Sequence, residues 1–147
     1  PGPAAIEGRT TPSPDRPRPF PGLEAGAELS CLHKTRWWQT ADGARLDTGA
    51  FVAGLEYAAD IEATVLGKPS NAYFAAALEA IDAEAGLTWM IGDDLEGDIV
   101  GAHKHGMKTL LVRTGKFRPD EVERSTIQPD GIVSSIAQVP DWLESNS

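Results

Sequence analysis

Four short, almost wholly apolar runs punctuate the carboxyl-terminal part of this chain: "IEATVLG" ending at Gly67, "LTWMIG" from Leu87 to Gly92, "KTLLV" from Lys108 to Val112, and "DGIVSSI" beginning at Asp130. Between the first two lies "SNAYFAAALEAI". There Ser70 stands ready to cap a helix, and Tyr73, Phe74, Ala77, Leu78 and Ile81 form one apolar stripe at helical spacing. "EGDIVGAHKHG" separates the second and third runs and reads as a helix closed by Gly106, while "AQVPDWLES" follows the fourth as a terminal helix. Strand, helix, strand, helix, strand is the order of a parallel sheet with crossover helices. Strands buried on both faces need no polar alternation, and these have none. Residues 61–147 are therefore expected to form part of a doubly wound, Rossmann-like α/β fold, with "RTGKFRPDEVERSTIQP" left irregular.

The upstream part is less regular. Residues 1–24 hold seven of the eleven prolines and show no periodicity, which predicts a disordered or extended leader. In 25–60, "ELSCLHK" reads as a strand ending near His33, and "RWWQTADGARLD" as a hairpin turning at Ala41-Asp42-Gly43. "DTGAFVAGLEYAA" reads as a helix capped by Asp47 or Thr48, with Phe51, Val52, Leu55 and Ala58 at helical spacing. Trp37 and Trp38 are expected at a buried or interface position, and Cys31 as a small core residue.

Chemistry gathers at the strand ends, where open parallel sheets bind ligands. Lys68 follows the first strand in "GKPS", and the second ends in "GDDLEGD", which sets Asp93, Asp94, Glu96 and Asp98 within six residues. Carboxylates on one spot repel each other unless a cation intervenes. Magnesium meets that demand with one or two carboxylates, several waters and a phosphate, and a lysine supplies a point charge for the same phosphate. The pattern suggests phosphoryl chemistry. On the local pattern alone, Asp93 and Asp94 serve equally well as caps of the following helix. His33, His103 and His105 are too scattered to form a metal set.

"VLGKPSNAYFAAAL", followed 25 residues after Lys68 by Asp93 in "MIGDDLEGDIVGAHKHGMKTLLVRTGKF", closely resembles the last two motifs of haloacid-dehalogenase (HAD)-like phosphatases. The likeness is to the subfamily with a large α/β cap inserted mid-chain, and residues 25–60 resemble the end of that cap. The resemblance implies that Lys68 binds the substrate phosphoryl group, that Asp93 is the Mg2+ ligand, and that Asp98 is the outer catalytic carboxylate orienting the lysine or a metal-bound water, with Asp94 assisting. It implies a magnesium-dependent phosphatase acting on a small phosphorylated substrate or a phosphoprotein side chain: a phosphoric monoester, phosphohistidine, phospholysine or pyrophosphate.

Two family motifs have no counterpart in these 147 residues: the Asp-x-Asp-Gly-Thr strand that carries the nucleophile, and the Ser/Thr phosphate-binding motif. The expectation is a carboxyl-terminal part of such an enzyme, with little activity alone. The alternative is a non-catalytic fragment or binding module derived from such a phosphatase, whose open sheet edge would favour self-association. A formal charge of −9 argues against a nucleic-acid surface, and no apolar run reaches the ~18 residues of a membrane span. A single cysteine rules out a disulfide within the chain and points to a reducing, cytoplasmic setting.

Overall fold

The parallel order expected from the alternating runs is present in the computed structural model, which describes residues 4–5 and 19–146. The chain divides into two compact units, Pro1–Gly67 and Lys68–Ser147.

In the first unit, β1 (Ala4–Ala5), β2 (Leu29–Cys31) and β5 (Thr64–Val65) form a parallel sheet in the order β1-β2-β5. A hairpin of β3 (Trp37–Thr40) and β4 (Gly43–Leu46) turns where its sequence indicates, with Gly43 at φ +114°. Helix α2 (Thr48–Ala59) is capped by Asp47, whose carboxylate accepts the Thr48 N–H at 2.7 Å. Its apolar stripe is narrower than the spacing suggests: Val52 is fully buried, whereas Phe51 and Ala58 are exposed. Val52 packs with Leu23, Leu29, Cys31 and Ala63 into one apolar cluster. Cys31 is buried as expected, while Trp38 stays exposed.

Two upstream expectations change. Pro19–Glu24, assigned to the extended leader, is a short helix, α1, because Leu23 finds that cluster to bury into; most of the leader lies outside the described residues. The strand of "IEATVLG" is only two residues long and pairs with β2, through Ser30↔Thr64 and Cys31↔Val65.

In the second unit, β6 (Trp89–Gly92), β7 (Lys108–Val112) and β8 (Gly131–Val133) form a parallel sheet in sequence order. Alternation along β7 shows both faces covered. Leu110 and Val112 pack with Val133, Val139 and Trp142, while Leu111 packs with Ile99 and Val122. Ser70 caps α3 (Asn71–Ala80) by accepting the Tyr73 N–H at 3.2 Å. Phe74 and Leu78 of α3 bury against Ala102 and Met107, whereas Ile81 is exposed. The segment after β6 is wider than a plain helix: Leu95–Val100 is a π-helical turn that runs into α4 (Gly101–Lys104), and Gly106 follows at φ +81°. The stretch left irregular contains α5 (Pro119–Arg124), a six-residue helix begun by proline and fixed by Val122 in the core. Helix α6 (Val139–Asn146) closes the chain, with Trp142 edge-on to Trp89 at 5.3 Å between ring centroids.

Candidate active site

Strand β6 ends at Gly92, and the absence of a side chain there shapes the turn beyond it. A Cβ on Gly92 would fall inside the Asp98 carboxylate, so glycine lets that carboxylate fold back onto the strand end. Asp98 arrives there from the π-helical turn, whose wider winding is marked by Ile99 N–H bonding to the Asp94 carbonyl five residues back. Asp94 caps this turn: its Oδ1 accepts the Gly97 N–H at 3.0 Å, and Asp98 Oδ2 accepts the Asp94 N–H at 3.3 Å. The two carboxylates thus satisfy each other's end of the turn, as in a capping box. Of the two aspartates that the pattern left open, Asp94 is the cap.

Lys68 meets this arrangement from the loop before α3. Its Nζ donates to Asp98 Oδ1 at 2.7 Å, across 30 residues of sequence. The lysine side chain is 39% exposed and the aspartate 7%, so a reachable ammonium sits on a buried carboxylate. The Lys68-Pro69 bond is cis. Gly101 lets this loop approach: a Cβ there would stand 2.9 Å from Pro69 Cβ and 2.7 Å from Phe74 Cε2. Burial alone would push the Lys68 ammonium toward deprotonation. The hydrogen bond and charge of Asp98, aided by Tyr73 and Asp94, outweigh it and raise the lysine above its ordinary value. Lys68 is therefore a cation at neutral pH.

Asp93, at the tip of β6, is half-buried, and its Oδ2 accepts the Lys116 main-chain N–H at 2.7 Å. That approach needs Gly115, at φ +48°, because a Cβ there would collide with the Asp93 carboxylate. The Lys116 ammonium donates to Asp94 Oδ2 at 2.9 Å. Burial would raise the Asp94 carboxyl, but the Gly97 N–H, the Lys116 ammonium and the Lys68 charge together hold it below the ordinary carboxylate value.

Lys68, Asp93, Asp94 and Asp98 thus form one connected group, while Glu96 of the same acidic run is exposed. Lys68 holds Asp98, Asp98 holds the Asp94 main chain, and Asp93 adjoins Asp94 at the carboxyl end of β6. Sequence reading missed Gly115 and Lys116. Their signal was a second Gly-Lys pair just beyond a strand, matching Gly67-Lys68.

As a magnesium site the donor set fits in one way only. Among the described residues no three His, Cys, Asp or Glu side chains converge as a metal set. Both oxygens of Asp94 and of Asp98 already accept hydrogen bonds. A magnesium ion here would take Asp93, at the strand tip, as its one carboxylate ligand. Magnesium accepts such a site, because it keeps waters and takes phosphate oxygens for its other positions.

The sequence model of the HAD-hydrolase-like family matches residues 65–139. The phospholysine phosphohistidine inorganic pyrophosphate phosphatase of Rattus norvegicus is 46% identical over 115 residues, covering 78% of this chain and 43% of its own. A crystal structure of a double-mutant thermostable NPPase from Geobacillus stearothermophilus superposes with a TM-score of 0.68 at 28% identity, over 77% of this chain and 44% of the other. The glycerol phosphate phosphatase of Mycobacterium tuberculosis, in complex with magnesium, does so with a TM-score of 0.72 at 26% identity, over 82% and 37%. The chain spans somewhat less than half the length of the curated relatives it matches.

Proposed function

The chain belongs to the HAD-like hydrolases, and from that membership we propose that it supplies the phosphate-holding and cation-holding part of a magnesium-dependent phosphatase site. The observation that carries this reading is the 2.7 Å pair of Lys68 and buried Asp98, set at the strand tip that bears Asp93. In this reading Lys68 binds the phosphoryl oxygens as a fixed point charge, and Asp98 holds the ammonium on target. Asp93 carries Mg2+, which supplies charge neutralisation at the transferring oxygens when bound. Asp94 stays anionic and anchors the turn from which Asp98 projects.

The substrate class follows the named relatives: a phosphoamide such as phosphohistidine or phospholysine, pyrophosphate, or a small phosphate ester. A cytoplasmic setting belongs to the same reading, with Cys31 buried as a free thiol. No helix among the described residues is long and apolar enough to cross a membrane.

Covalent phosphoryl transfer needs an in-line carboxylate, and no Asp-x-Asp-Gly-Thr motif occurs in these 147 residues. We therefore expect this chain, by itself, to bind Mg2+ and phosphate without turnover, which is the behaviour of a binding module. Calorimetric titration of Mg2+ into the wild type and Asp93→Asn tests the site: binding is expected in the first and lost in the second, and equal binding in both removes the reading. Phosphate release from pyrophosphate or imidodiphosphate is expected at the buffer rate. Robust turnover would show that another group in this chain performs the attack.

A further inference from the structure

Lys116 makes two contacts with the acidic pair, and they differ in kind. Its main-chain N–H donates to Asp93 Oδ2 at 2.7 Å, and its ammonium donates to Asp94 Oδ2 at 2.9 Å. Asp93 and Asp94 are consecutive at the tip of β6, and one residue, Lys116, reaches both carboxylates. One of them is already occupied. Asp94 Oδ1 holds the Gly97 N–H and Asp94 Oδ2 holds the ammonium, while both side chains are about three-quarters buried. Asp93 gives up one oxygen to a neutral N–H, which orients the carboxylate without cancelling its charge. The Gly115 turn makes both contacts possible at once by bringing the backbone against Asp93.

We propose that Lys116 is a positioning residue that selects which carboxylate a divalent cation meets: its main chain aims Asp93, and its ammonium withholds Asp94 as a built-in counter-ion. The inference rests on the reading of Asp93 as the cation ligand. Its physical content is competition. A divalent cation favours two adjacent carboxylates over one, and Lys116 neutralises the second. Removing the ammonium frees Asp94 to share the cation, so affinity should rise. If the contacts served stability alone, removing them would lower the melting temperature and leave cation affinity unchanged.

The test is a double-mutant cycle on the whole chain, read as the Mg2+ dissociation constant and the melting temperature. Lys116→Met keeps the stem and the main-chain N–H while deleting the charge. Asp94→Asn keeps the Oδ1 that caps Gly97. Lys116→Met is expected to tighten Mg2+ binding about three- to tenfold, within the range for neighbours in one ion-pair network. The same change in an Asp94→Asn background is expected to do nothing, and Lys116→Arg to restore the wild-type constant within about twofold, since it restores the charge. Unchanged or weakened binding in Lys116→Met, or an equal effect in both backgrounds, overturns the inference. Asp93→Asn separates the two levels. If it leaves wild-type binding intact, the cation reading and this inference fall together; if it abolishes binding while Lys116→Met changes nothing, only the inference falls. Should Lys116→Met melt early, Lys116→Gln repeats the charge deletion with a polar end.

Discussion

Single residues at the tip of β6 are constrained by what they lack as much as by what they carry. Gly92 leaves the volume that the Asp98 carboxylate occupies, and Gly115 leaves the volume of the Asp93 carboxylate. An alanine at 92 must either displace Asp98 from Lys68 or bend the strand end. Gly92→Ala is expected to destabilise the fold by about 1–3 kcal/mol, the usual cost of overpacking, and to loosen the Lys68–Asp98 contact. Urea denaturation, with the Lys68 Nζ resonance followed by NMR, checks both. An unchanged midpoint and resonance would mean that Asp98 has room elsewhere. Asp93, Asp98 and Lys68 could be named from sequence because their spacing is a family pattern. Gly115 and Lys116 carry only a bare Gly-Lys pair as a signal, and the Lys116 contacts that give it weight reach back 22 and 23 residues.

At the level of elements, α3 and the π-helical turn hold the site between them. Ser70 caps α3 two residues after Lys68, and Phe74 sits against Gly101, where the turn becomes α4. The cap fixes where the helix begins, and so fixes the loop carrying the lysine. Ser70→Ala is expected to cost about 1 kcal/mol, and Phe74→Ala about 3–5 kcal/mol. Thermal denaturation of the two variants should rank them in that order; a larger loss at the cap than at the buried ring would put the anchor of α3 at its end. The stripe read from the sequence included Tyr73 and Ile81, yet both are exposed. Periodicity counts apolar residues on a helix, but only the neighbouring elements decide how much of the stripe they cover. The π-helical turn was also unreadable, since its extra residue is accommodated by Asp98 folding back onto Gly92.

Across the whole chain, each compact unit has its own ion pair with an enclosed carboxylate. In the first, Lys34 Nζ lies 2.7 Å from Glu56 Oε1 and 2.6 Å from Oε2, and Oε1 also accepts the Ala63 N–H at 2.8 Å. The hydrogen bond from Lys34 is the largest influence on Glu56. With the Ala63 N–H and the lysine charge, it outweighs burial and holds the carboxyl below its ordinary 4.5. A carboxyl lowered by folding stabilises the fold above its unfolded value, and that stabilisation is lost as pH falls through the lower, folded value. Wild type is therefore expected to exceed Glu56→Gln in stability by a constant margin at pH 6–8, with the margin shrinking below about pH 4.5 as this carboxyl protonates. Denaturation midpoints of the two proteins from pH 8 to pH 3 check it, and a margin that does not close on acidification would rule out the pair as its source.

By itself, the sequence determined the parallel α/β order, a cap at Asp47 or Thr48 and another at Ser70, and it singled out Lys68, Asp93 and Asp98 as candidates. All of these rest on local spacing or on a motif, and the chain carries such information without folding. Tertiary structure alone decided that β5 pairs with β2, that Leu23 and Val122 anchor two short helices, and that Lys116 joins the acidic pair. Those outcomes depend on closing long loops so that distant groups come within bonding distance, and nothing in local spacing encodes which of many closures also buries the apolar surface.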